Sequence, residues 1–178
     1  MEQPVAVWIL IVLALATASL PFLIRRPLLM LPWLQKGEDR RPAWLRLLEF
    51  AVFFAILVGL HFAILGWVGG ALVGADAASM GLFLVKVAVL AVAVVLLLSY
   101  PGWRDVNKHI HKSFVARLLE VLVLYALVGT LGLAFEINIG NAFPKDWEFY
   151  VISLCLYLVL AYPGFVYCYL LRHRYRGG

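Results

Sequence analysis

The chain has 178 residues, 65% of them hydrophobic and only 14% charged, with a mean hydropathy of +0.95 and a formal net charge of +5. A soluble domain is about half apolar, so the excess here has to face lipid, and five apolar runs leave no room for a domain outside the bilayer. The basic excess does not point to nucleic acid, because it collects in the connections on one side of those runs, where membrane orientation explains it.

The first span is expected at 5–24. Ala14-Leu15-Ala16-Thr17-Ala18 has the small-residue spacing of a signal-peptide cleavage site, yet Met1-Glu2-Gln3 carries no basic residue while Arg25-Arg26 follow the run. That polarity is reversed for a secretory signal, so the segment reads as an uncleaved span with its N-terminus outside. Pro21 is expected to kink its inner end, since proline removes one helical hydrogen bond. The apolar segment from Pro27 to Leu34 is too short to cross and is expected at the interface, with Trp33 at headgroup depth. Further spans follow at 44–68, 80–100, 117–135 and 147–171, each near the roughly 20 residues a bilayer requires. All of the 15 Lys and Arg except Lys86 and Lys145 fall in the three connections placed inside or at the adjoining helix ends. The sequence therefore predicts an all-α membrane protein of five transmembrane helices, N-terminus out and C-terminus in.

Two of these segments are copies. Arg46-Leu47-Leu48-Glu49 recurs as Arg117-Leu118-Leu119-Glu120, and Tyr100-Pro101-Gly102 recurs as Tyr162-Pro163-Gly164; Val52/Val123, Phe54/Tyr125, Ala55/Ala126 and Leu60/Leu131 also fall in register. Each copy is long enough for a helical hairpin. The chain thus divides into an N-terminal span with an interfacial segment (1–35), a first hairpin (36–111) and a second hairpin with a basic tail (112–178). Hairpins that begin and end on one side are parallel repeats, whose twofold axis lies along the membrane normal.

The ionisable residues near the membrane are the candidates for function or for contact with a partner. Arg46/Glu49 and Arg117/Glu120 are spaced i, i+3, which puts each pair on one helix face. They read as interfacial ion pairs that set helix depth, or alternatively as carboxylates for proton transfer. Lys86 lies about 9 Å along the third span from its outer end and His61 about 10 Å along the second. A neutral His61 could accept a hydrogen bond from Lys86, while the lysine stem is also long enough to reach the headgroups. Pro101 and Pro163 free a backbone carbonyl one turn back, either lining a polar pocket or letting the hairpins pack. Small residues (Ala55, Gly59, Ala126, Gly129, Gly132) permit close helix approach.

His61 is the one histidine within a span, against His109, His111 and His173 in connections or tail, so a bis-histidine haem is not indicated. Cys155 and Cys168 are about 20 Å apart on one helix and cannot bridge. No zinc, iron–sulfur, phosphate-loop or nucleophile motif is present, and no cofactor or catalytic residue is expected.

Ser19-Leu20-Pro21-Phe22-Leu23, Trp44 to Glu49, Gly140-Asn141-Ala142-Phe143-Pro144, Trp147-Glu148-Phe149-Tyr150 and Ala161 to Tyr167 together resemble a family of small uncharacterised bacterial inner-membrane proteins. That family is found mainly in β-proteobacteria, with genes that tend to sit beside those of the proton-pumping NADH:quinone oxidoreductase. The resemblance covers roughly residues 5–50 and 117–171. It departs from the family in one respect, since the relatives look like one span plus one hairpin and this chain has two hairpins. The resemblance implies a non-catalytic accessory subunit or assembly factor of a respiratory membrane complex, with other integral membrane subunits as partners. The alternatives are a small carrier or channel with a site near Lys86 and His61, and a quinone-binding redox subunit.

Overall fold

The structure, a computed structural model, describes residues 3–24, 26–33, 42–70, 77–104, 112–140 and 144–171. Within them the chain is helical: α1 (Gln3–Leu23), α2 (Ala43–Ile64, continued by a π-helical turn Leu65–Gly69), α3 (Ala77–Arg104), α4 (Phe114–Ile139) and α5 (Trp147–Val166, continued by a π-helical turn Tyr167–Leu171). Among the described residues four helices are long and apolar enough to cross a membrane, namely Ala43–Gly69, Gly81–Arg104, Phe114–Ile139 and Trp147–Leu170; α1 contributes a shorter apolar stretch, Val7–Leu23. The protein is thus a multi-pass, all-helical membrane protein. His109, His111 and the tail beyond Leu171 lie outside the described residues.

Local chemistry sets the helix ends. The fourth helix begins at Phe114, three residues earlier than the hydrophobic pattern alone suggests, because the Ser113 hydroxyl accepts the Ala116 N–H at 3.2 Å and caps the turn. It ends on Gly140, whose φ of 79° is a left-handed conformation that glycine adopts without a Cβ penalty. At the end of α2, the Val68 carbonyl accepts from the Gly70 N–H and also from Asn138 Nδ2 of α4, at 3.0 Å. The prolines do not end their helices: Pro21, Pro101 and Pro163 all lie within helix.

α4 is the centre of the bundle. Val121, Leu124, Leu127, Ala134 and Phe135 are buried along one face, meeting α1 on one side and the end of α2 on the other. Phe83 of α3 reaches Phe135 at 6.5 Å between ring centroids. α1 lies between α4 and α5 and touches each more extensively than they touch one another. Leu28 and Leu29, just after α1, turn into the core, whereas Trp33 stays 40% exposed. Arg46 and Arg117 lie at the same end of the bundle, as a parallel repeat requires; this end is called the basic end below.

The glycine of the repeated Tyr-Pro-Gly is in close contact in both copies. A Cβ on Gly164 would fall 2.9 Å from the Ser19 carbonyl oxygen of α1, and one on Gly102 would fall 3.2 Å from Arg26 Cβ. By contrast, Gly59 and Gly129 face open space, with no neighbouring atom within 4 Å of the place a methyl would take, and Ala55 and Ala126 are exposed. Gly132 does meet α1, 3.5 Å from Leu10. Gly164→Val should therefore push α1 from α5 and cost about 1–3 kcal/mol, while Gly59→Ala should hold or raise stability by up to about 1 kcal/mol. Thermal unfolding of both variants in the same detergent checks the contrast.

Candidate functional site

Among the described residues, two of the three ion pairs lie at the basic end. Glu120 stands nearly two turns into α4 with its side chain 2% exposed, and the Lys112 side chain beside it is 1% exposed. Lys112 Nζ donates to Glu120 Oε2 at 2.7 Å, and the Leu28 backbone N–H donates to Oε1 at 2.8 Å. Both carboxylate oxygens are therefore engaged, one by a cation preceding α4 and one by the segment that follows α1. Burial lowers the Lys112 ammonium from its ordinary value, and the adjacent Glu120 carboxylate opposes that shift.

Each repeat holds its glutamate differently from the i, i+3 expectation. Arg117 does not bridge Glu120; its guanidinium donates to Cys168 Sγ and lies 5.2 Å from the Tyr169 ring centroid, joining α4 to the end of α5. Glu49 takes Arg104 Nη2 at 2.7 Å, joining the start of α2 to the end of α3, and Arg46 does not bridge it. The Nε atoms of Arg46 and Arg117 are buried without a hydrogen-bond partner. The reason is geometric: a helix-surface i, i+3 pair is worth only a few tenths of a kcal/mol, so a cation brought in by a neighbouring segment displaces it readily.

His61 and Lys86 are not brought together. His61 Nδ1 lies 3.1 Å from the Leu57 carbonyl of its own helix, and its ring borders a cavity between α1, α4 and α5. Lys86 is half-buried and does not line that cavity. Pro101 is buried and Pro163 exposed; the contact in both copies belongs to the glycine that follows. Among the described residues no group of three His, Cys, Asp or Glu side chains could hold a metal ion.

Sequence reasoning missed Lys112, Arg104, Leu28, Gly102 and Gly164. Only the glycines left a signal, by recurring after the repeated Tyr-Pro. Removing Glu120 strands a buried ammonium, so Glu120→Ala should cost about 3–5 kcal/mol, with Lys112→Met/Glu120→Leu recovering much of that loss. Glu49→Gln, at a pair whose side chains are 22% and 27% exposed, should cost about 1 kcal/mol or less. Denaturant unfolding in mixed micelles ranks the three.

The chain matches the profile of a family described as a protein of unknown function (DUF2818) twice, over residues 6–108 and 82–172. The first match takes in α1, α2 and α3; the second begins within α3 and takes in α4 and α5. No curated protein and no solved structure matches the chain. The two matches fit the internal repeat, with α3 as the last helix of one unit and the first of the next. The chain belongs to the DUF2818 family and carries the family's pattern twice.

Proposed function

We propose that the protein is a non-catalytic accessory subunit or assembly factor of a respiratory membrane complex, the proton-pumping NADH:quinone oxidoreductase foremost, and that it spans the bacterial inner membrane five times with its N-terminus outside and its C-terminus inside. The observation that carries the reading is the use made of the ionisable side chains. Glu120, Lys112, Glu49 and Arg104 tie helices and connections to each other, which is the work of a scaffold. The apolar surface supports it as well: Val85, Val89, Val92 and Leu96 of α3 are all exposed, and such a face can pack against lipid or against the helices of a larger assembly. A carrier site between His61 and Lys86 has less support, because the histidine is engaged by its own helix and the lysine stands away from the cavity.

Purification from native membranes in mild detergent should bring down integral membrane subunits together with NADH:quinone activity. Migration of the chain by itself would overturn the reading. Lys86→Met should leave that activity per assembled complex unchanged or weaken assembly; normal assembly with lost proton or solute movement would favour a carrier. Reporter fusions at Gly74, Asn141 and the C-terminus should report outside, outside and inside.

A further inference from the structure

Toward the end opposite the basic cluster, α1, α4 and α5 surround a cavity of about 710 Å³, within the range of ligand sites. Leu10, Ala14, Leu133 and Leu156 contribute apolar wall, and Gly129 opens it, having nothing within 4 Å of where a Cβ would stand. The lining also includes Glu136, which pairs with Lys145 at 3.1 Å. Lys145 also lies 5.1 Å over the ring of Phe149, which lines the same cavity.

The hydrogen bonds of the lining select its occupant. The Tyr125 hydroxyl donates to the Tyr150 carbonyl at 2.8 Å, and Ser153 donates to that same carbonyl at 3.1 Å. Thr130 donates to the Ala126 carbonyl at 2.7 Å. Thr17 donates to the Leu13 carbonyl at 2.7 Å, so the Tyr157 hydroxyl, 2.9 Å from Thr17 Oγ1, donates to it in turn. With Nδ1 donating to Leu57, a neutral His61 offers only an acceptor. The deep wall therefore has these donors already engaged and suits hydrocarbon, not a carbonyl-bearing ring that needs donors. Glu136 and its partner Lys145, in contrast, are joined through one carboxylate oxygen and keep the second oxygen and further N–H donors for a headgroup.

We infer that the cavity between α1, α4 and α5 holds one acyl chain of a zwitterionic phospholipid, whose headgroup ammonium is received by Glu136 and whose phosphate is received by Lys145. The occupant fills the space that the three helices leave between them. A headgroup lacking the ammonium forfeits the Glu136 contact, so the site discriminates between lipids of the same chain length. The inference depends on the membrane fold and not on the accessory role.

The test is native mass spectrometry of the purified full chain after delipidation and titration with dioleoyl phosphatidylethanolamine, dioleoyl phosphatidylglycerol or ubiquinone. One phosphatidylethanolamine should be retained per chain in preference to the other two. Glu136→Gln should reduce the preference over phosphatidylglycerol by about tenfold, the loss of one hydrogen bond between charged groups. Gly129→Leu, which fills the cavity, should abolish retention while helical circular dichroism stays unchanged, and Ala126→Leu provides the same test should Gly129→Leu fail to insert. Equal retention by wild type and a folded cavity-filled variant would overturn the inference. So would a preference for ubiquinone or phosphatidylglycerol, or a cavity occupied by a co-purifying protein helix.

Discussion

The arrangement of the bundle depends on a carboxylate that has no access to water. Glu120 is buried nearly two turns into the central helix, and a lone charge in such a place would cost several kcal/mol. Its two oxygens are satisfied from two directions, by the Lys112 ammonium and by the Leu28 N–H. Each bond fixes a different part of the chain. The lysine holds the approach to α4, and the backbone amide holds the segment leaving α1, which in turn sets where Leu28 and Leu29 bury. The position of α1 between α4 and α5 follows, with Ser19 seated on Gly164 and Thr17 on Tyr157.

The repeated copies have kept their frame and changed their partners. In the first copy a glutamate takes an arginine from the far end of its own hairpin; in the second it takes a lysine just upstream and an amide from the first connection. The glycine after the repeated Tyr-Pro meets Arg26 in one copy and Ser19 in the other. The glycine position thus meets α1 or the segment after it in both copies, whereas the glutamate position does so only in the second. A three-helix unit extended by one duplicated hairpin gives the five helices of the described residues. The two overlapping family matches are consistent with growth by that route.

The helices were legible because lipid imposes a length and a hydropathy on whatever crosses it, and the repeat was legible because residue identity survives duplication. Ser113 shows where the pattern stopped short: apolar periodicity places the start of α4 at Arg117, while a single capping hydroxyl moves it to Phe114. Ionic partners were the least legible. The i, i+3 spacing made Arg46 and Arg117 the natural partners of Glu49 and Glu120, but Arg104 is 55 residues from Glu49 and Leu28 is 92 from Glu120. Such pairings are decided by how the helices assemble, which no local window contains. His61 and Lys86 likewise share a depth in the sequence, yet the histidine bonds its own helix and only it lines the cavity.

The bond from Leu28 to Glu120 also has a consequence in time. A ribosome adding about 5–20 residues per second needs on the order of ten seconds to make the chain between them. Throughout that interval α1 is already synthesised, while the glycine, tyrosine and carboxylate that hold it have not left the ribosome. The α2–α3 hairpin is made in between and has to enter the bilayer without claiming the face of α1 that α4 and α5 will take. The first helix of this protein is consequently among the last to be locked, and whatever shelters it in the meantime belongs to the membrane or its insertion machinery.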